Sequence, residues 1–146
     1  MTNKNETKKA EEILLRVGTE IAKKKEGALM VISDNCNYKL LRHQKIQPFS
    51  LFERGAEKML ENLAVVDGAV IVNTHGIVVD YGAMIKAKNV FPGYGTRHSA
   101  AYSASLFKNT TAILVSEEEQ NIKVFRKGEL IEKRDLSGRK DQKSER

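Results

Sequence analysis

The chain has 146 residues, 25 Lys+Arg against 19 Asp+Glu and a formal net charge of +6, a length that suits one domain able to bury roughly 68–70% of its unfolded surface. An apolar fraction of 40% beside 30% charged residues excludes a disordered chain, and no stretch approaches the ~18 uninterrupted apolar residues of a membrane span. The polar opening MTNKNETKKAEE lacks the apolar core of a signal peptide, and the lone Cys36 forms neither an internal disulfide nor a cysteine-based zinc site with three scattered histidines, so a cytoplasmic location is expected.

Residues 8–25 place Ile13, Leu14, Val17 and Ile21 at helical spacing with charges elsewhere, which predicts an amphipathic helix ended by Gly27. ALMVIS (28–33) is a short apolar run of strand type, and Asp34, Asn35 and Asn37 mark a turn. Residues 38–50 are irregular. Ser50 with Glu53 three residues on forms a capping box for a second helix over 51–64. VVDGAVIVN (65–73) reads as a strand, THG (74–76) as a turn and IVVDYGAM (77–84) as the return strand of an antiparallel hairpin. Residues 86–95 form a loop rich in Gly and Pro, and Thr96 is placed to cap a third helix through residue 108. TTAILVS (110–116) is a buried strand, and IKVFRKGELIE (122–132) a hairpin folded at Lys127-Gly128. The order predicts one mixed α/β domain over 1–135, its sheet flanked by helices, followed by a frayed tail over 136–146.

Three stretches carry candidate chemistry. Asp67 lies inside the run VVDGAVIV, where a charged carboxylate is costly unless paired or bound to a metal; Gly68 beside it admits a second backbone or a ligand. A carboxylate at a strand edge or bulge is the plainer reading of the same dipeptide. In PGYGTRHSAA (92–101) a glycine-rich loop enters a helix at Thr96 with Arg97 and His98 in the first turn. Cations there oppose the helix dipole, unless an anion sits against the open N–H groups, the Thr hydroxyl and the guanidinium. Ser116-Glu117-Glu118-Glu119 follows a buried strand; three carboxylates make a solvated turn, or ligands for a hard divalent cation beside phosphate. His43, His75 and Cys36 lack partners for catalysis, and Lys86 and Lys88 are solvated lysines able to draw an anion to the loop.

The positive surplus is spread evenly: 7 basic and 5 acidic groups in residues 1–26, 11 and 9 in 27–126, 7 and 5 in 127–146. A nucleic-acid binder concentrates its charge on one face or arm, and with 6% aromatics and no Trp a base-stacking platform is poorly supplied. Nucleic acid is therefore not expected as the main partner.

In order and spacing, DGA at 67–69, GTRHSAA at 95–101 and SEE at 116–118 resemble the signature set of the diadenylate cyclase domain family, over roughly residues 50–132. The resemblance implies a mixed sheet flanked by helices and the condensation of two ATP into cyclic di-AMP with release of two pyrophosphates. It further implies that the 3′-hydroxyl of one ATP attacks the α-phosphorus of the other across a face-to-face homodimer, transient or stable, or within a higher homo-oligomer. Asp67 would assist the hydroxyl, directly or through a metal, with Gly68 and Ala69 against the nucleotide. Met84 would line the adenine pocket; Gly95, Thr96, Arg97 and His98 would hold the triphosphate. Ser116 with Glu117 or Glu118 would serve phosphate and Mg2+ or Mn2+. The family's usual Arg-His-Arg is Arg97-His98-Ser99 here, a lost guanidinium that also admits a catalytically weak or silent nucleotide-binding module on the same fold.

Overall fold

The computed structural model describes residues 4–40, 45–87 and 95–136. The elements run α1 (Lys4–Lys23), β1 (Ala28–Ile32), β2 (Lys39–Leu40), β3 (Phe49–Ser50), α2 (Ala56–Ala64), β4 (Ala69–Val72), β5 (Ile77–Met84), α3 (Thr96–Ser105), β6 (Thr111–Ser116), β7 (Asn121–Arg126) and β8 (Glu129–Asp135). All strands join one sheet in the order β2-β5-β4-β1-β6-β7-β8, with β3 also paired to β5. β1 and β4 are parallel; every other pairing is antiparallel. The mixed sheet flanked by helices agrees with the expected fold class.

Central strands β1 and β4 are buried at every position, because helices cover both faces of the sheet and leave no solvated side for polar residues. Met30, Ile32, Val70, Val72, Ile113, Val115, Ile122 and Val124 pack with Leu14, Val17 and Ile21 of α1 and Leu60 of α2. On the opposite face Leu29, Val31, Ile71, Leu114 and Phe125 pack with Ala101 and Ala104 of α3. The alternation along each strand assigns each residue to its layer. Arg16 donates to both carboxylate oxygens of Glu57, at 2.9 and 2.6 Å, and so ties α1 to α2 across the surface.

Several boundaries differ from the sequence expectation. Gly27 does not end α1: Lys25 adopts a left-handed φ of 60°, its N–H donates to the Ala22 carbonyl at 2.9 Å, and the Glu26 N–H donates to Ile21 at 3.2 Å. That is a Schellman closure with lysine in the usual glycine place. Ser50 is not the N-cap of α2. Its backbone belongs to β3 and its Oγ accepts from the Phe52 N–H at 3.1 Å, while Gly55 at φ 84° starts the helix five residues later. The expected strand over 65–73 shortens to β4, since Val65 closes α2 and Gly68 turns the chain at φ 101°. The hairpin turn stands as expected: the Asn73 N–H donates to Ile77 at 2.9 Å, and Asn73 Oδ1 accepts from the His75 and Ile77 N–H groups. Most of the glycine-proline loop, with Lys88, Pro92 and Gly93, lies outside the described residues, as do His43 and the tail beyond residue 136.

Gly68 also meets the sheet beside it. A Cβ there would stand 2.6 Å from the Gly82 carbonyl carbon and 2.9 Å from the Ala83 nitrogen. Gly68→Ala should therefore cost roughly 2–4 kcal/mol, from the left-handed backbone and from overpacking against main chain. Gly55→Ala, with a positive φ of 84° but nothing within 4 Å, should cost only ~1–2 kcal/mol. Urea unfolding of the two variants measures the contrast.

Candidate functional site

The sheet register brings the three sequence motifs to one end of the molecule. Ala69 lies opposite Ala83 on β5 and Leu29 on β1, while Ala28 lies opposite Val115 on β6. Asp67-Gly68, Gly27 and Ser116 thus form a row across neighbouring strands, with Gly82 and Met84 at its outer side. Strands are spaced ~4.8 Å apart, so Gly68 and Ser116, separated by β1, stand roughly 10 Å apart.

Asp67 is exposed in the bend before β4, not buried within a strand. Asp67 therefore bears none of the burial cost expected of a carboxylate inside an apolar strand: Gly68 ends the apolar run and turns Asp67 outward. Among the described residues its side chain has neither hydrogen bond nor ion pair, so its oxygens are open to a ligand. Met84, at the end of β5 opposite Lys39, is 54% exposed and offers an apolar side chain at the rim.

At the other end of the row α3 enters. Its N-cap is Gly95, in extended conformation, without a capping side chain, so Thr96 is the first helical residue and not the cap. The Gly95 carbonyl accepts from the His98 and Ser99 N–H groups at 3.1 and 3.3 Å, leaving those of Thr96 and Arg97 without intrahelical partners. Thr96 is exposed. The small inward residues Ser99, Ala101, Ser103 and Ala104 are buried and let the helix lie close to the sheet.

Arg97 and His98 diverge from this turn. The Arg97 guanidinium leans back over Gly27 and the Val115 carbonyl, and its Nη1 lies 4.0 Å from Glu117 Oε1. Both partners are partly exposed, at 37% and 59% of their side chains, so the pair is weak and either group can turn to a ligand. The His98 ring instead packs edge-on against Phe125 of β7, with centroids 5.3 Å apart and planes at 84°. Burial holds its pKa below the ordinary histidine value; the Lys123 ammonium adds to that, and Glu119 opposes it. The same surroundings favour the neutral imidazole, which meets an anion as a hydrogen-bond donor.

The sequence reading groups Glu119 with Glu117 and Glu118 and does not single out Lys123. Lys123 is only 7% exposed, and its Nζ lies 2.6 Å from Glu119 Oε1. The Glu119 carboxyl is pulled below the usual range, first by that hydrogen bond and then by Asn121. Glu119 is thus engaged by Lys123 within the β6–β7 turn, whereas all three carboxylates, Glu117, Glu118 and Glu119, are exposed. Ser116 Oγ accepts from the Glu119 N–H at 3.3 Å and shapes the turn.

The row does not gather Asp67, Glu117 and Glu118 around one point. Among the described residues no group of three or more His, Cys, Asp or Glu is placed to hold a metal ion, because β1 separates the two carboxylate positions. Glu117 and Glu118 alone suit an ion that takes one or two carboxylates and completes its shell with phosphate oxygens and water, as Mg2+ does. No helix among the described residues is long and apolar enough to cross a membrane.

The profile of a known family, DisA bacterial checkpoint controller nucleotide-binding (DAC), matches residues 17–130. A diadenylate cyclase of Methanocaldococcus jannaschii is 31% identical over 114 residues, covering 72% of this chain and 37% of that protein; the chain spans little more than a third of that relative's length. Among solved structures, a double mutant of DacA from Staphylococcus aureus superposes with a TM-score of 0.64 at 23% identity, covering 89% of this chain and 88% of the other. A hypothetical membrane-spanning protein from Bacillus cereus gives a TM-score of 0.62 at 21% identity, covering 83% and 61%. These two likenesses are of fold.

The depressed His98 pKa has a thermodynamic consequence. The unfolded chain takes up this proton more readily than the folded one, so folded stability falls as pH drops below ~6.5, the ordinary histidine value. His98→Gln should flatten the urea-unfolding stability between pH 7 and 5 relative to wild type. An unchanged slope would show that His98 is not held neutral by its surroundings.

Proposed function

The chain belongs to the DisA bacterial checkpoint controller nucleotide-binding (DAC) family, and from that premise we propose that it is a diadenylate cyclase, joining two ATP into cyclic di-AMP and releasing two pyrophosphates. The observation that carries the reading is the row itself: an open carboxylate at Asp67 and a phosphate-suited pole at Thr96 and Arg97 lie at the same sheet end, with the glycine and alanine backbone of Gly68, Gly27 and Ala28 between them.

In this reading the triphosphate lies on the α3 N-terminus. The Thr96 and Arg97 N–H groups, the Thr96 hydroxyl and the Arg97 guanidinium donate to it, and neutral His98 adds a donor. Gly95 keeps the approach clear, and Ser116 offers a hydroxyl at the end of β6. The flat floor of Gly68 and Ala69 faces the nucleoside, and Met84 covers adenine. The Asp67 carboxylate accepts the hydrogen bond of a ribose 3′-hydroxyl. In each of two equivalent transfers that oxygen bonds to the α-phosphorus of the other ATP. The bond from that phosphorus to the oxygen bridging the α- and β-phosphates breaks, pyrophosphate departs with the bond electrons, and the hydroxyl proton passes to Asp67 or through it to water. Mg2+ or Mn2+, held by Glu117 and Glu118 together with phosphate oxygens, would supply charge neutralisation. Such reactions depend chiefly on alignment and electrostatics, so the site needs no histidine or cysteine nucleophile.

One chain offers one Asp67 and one phosphate pole, so two chains bring two ATP together. Incubated with ATP and Mn2+ or Mg2+, the purified chain should form cyclic di-AMP, detected by mass spectrometry, at a rate rising faster than linearly with dilute protein. ATP binding without product under either metal would instead favour the silent module that Ser99 allows. Asp67→Asn should reduce turnover at least ~100-fold, the span of a general-base contribution, while ATP binding by titration stays close to wild type.

A further inference from the structure

Gly27 belongs to none of the three motifs. Its sequence role as helix terminator is taken by the left-handed Lys25 and the Schellman hydrogen bonds of Lys25 and Glu26. Its own φ lies outside the left-handed region, so the backbone at this position accepts any L residue. What excludes a side chain is Arg97: a Cβ would stand 2.8 Å from its Nη1 and 3.5 Å from its Cζ, and 3.3 Å from the Val115 carbonyl oxygen. The guanidinium therefore lies directly on the strand-entry backbone, with Glu117 4.0 Å away at the end of β6.

We propose that Gly27 is a positioning residue for Arg97: the missing side chain is the seat that holds the guanidinium against the sheet end, where its N–H groups meet the phosphates of the substrate. This rests on the reading of Arg97 as a phosphate ligand. The atom nearest the hypothetical Cβ is the far end of a flexible side chain rather than main chain. A methyl at position 27 is therefore accommodated chiefly by Arg97 moving off its seat, with a slight give at the Val115 carbonyl 3.3 Å away, at small cost to folding. The effect belongs in ligand binding, since a displaced guanidinium loses its fixed donor geometry toward phosphate. α1 thereby reaches the site through its exit: the segment that closes the helix delivers Gly27 to the start of β1, beside the α3 N-terminus.

The test is a double-mutant cycle on the full chain, using wild type, Gly27→Ala, Arg97→Ala and the double variant. ATP affinity, cyclic di-AMP kinetics and thermal unfolding are read for each. Gly27→Ala should unfold close to wild type yet raise the half-saturating ATP concentration about tenfold, with kcat within about twofold, the pattern of a lost ground-state contact. In the Arg97→Ala background Gly27→Ala should change ATP affinity no further, because the group it displaces is gone. Unchanged ATP affinity in Gly27→Ala overturns the proposal and leaves the activity reading intact. Additive losses in the double variant also overturn it, since they mark an effect that bypasses Arg97. A wild-type chain that binds no ATP overturns the reading of the site, and this inference with it.

Discussion

The close approach of two backbones at the start of β4 is the constraint on which the site depends. Gly68 at φ 101° and Gly82 at φ 65° bring their chains together with no room for a side chain on Gly68. Around them the β4–β5 register slips between Ala69 and Ile71, as it does where a strand bends and twists more strongly. Without this contact β4 would continue backward through Val66 and Val65, and Asp67 would alternate into a buried layer. With it, Asp67 leaves the sheet at the end where β1 begins and β6 stops. Only glycine makes both the turn and the approach.

The opposite pole depends on the same economy of volume. α3 presents serine and alanine to the sheet, which lets the helix axis come close and sets its first turn over the ends of β1 and β6. The position of Arg97 follows from that seat and from the bare backbone at Gly27. Its loose partner Glu117 does not anchor it, because a half-exposed pair at 4.0 Å holds little. The firm ion pair nearby is Lys123–Glu119, shielded by burial of the lysine. Glu119 stays exposed but is engaged by the buried Lys123, while Glu117 holds only the loose Arg97 contact, a division of roles that composition alone does not display.

Much of this architecture is legible in the sequence for a simple reason. Strands covered on both faces, such as ALMVI and AVIV, read as continuous apolar runs, and α1 shows its stripe through Ile13, Leu14, Val17 and Ile21. The two-residue strands β2 and β3 carry no such mark, since Lys39 and Leu40 are exposed and Phe49 and Ser50 half-buried; they exist because the long β5 offers them a ladder. The order of the motifs points to the candidate site residues, but their local geometry is less legible. The run VVDGAVIV hides a turn because valine is apolar whether it closes a helix or builds a strand. Thr96 looked like a cap because it is a good one, yet the extended Gly95 precedes it. Gly27 looked like a stop signal because glycine after a helix usually is one. Its actual constraint comes from Arg97, 70 residues away in the chain, and no local window contains both.

The even distribution of charge acquires a physical meaning from the same geometry. A protein that reads a polyanion along its length needs a continuous basic surface, whereas one triphosphate needs a few donors converging on a single turn. In the proposed site the donors are the neutral N–H groups of the α3 first turn and one guanidinium, with acids on either side of β1. A site so assembled gains little from net charge and much from fixed geometry, because preformed dipoles need no reorganisation when an anion arrives. It also spreads the two acidic positions apart: Gly68 beside Asp67 and Ser116 beside Glu117 stand roughly 10 Å apart across the intervening strand. In the proposed reaction the hydroxyl near Asp67 must reach a phosphorus seated on another molecule. Under that proposal a single chain, with one Asp67 and one α3 N-terminus, supplies half of what a symmetric double transfer uses, and a second copy supplies the other half.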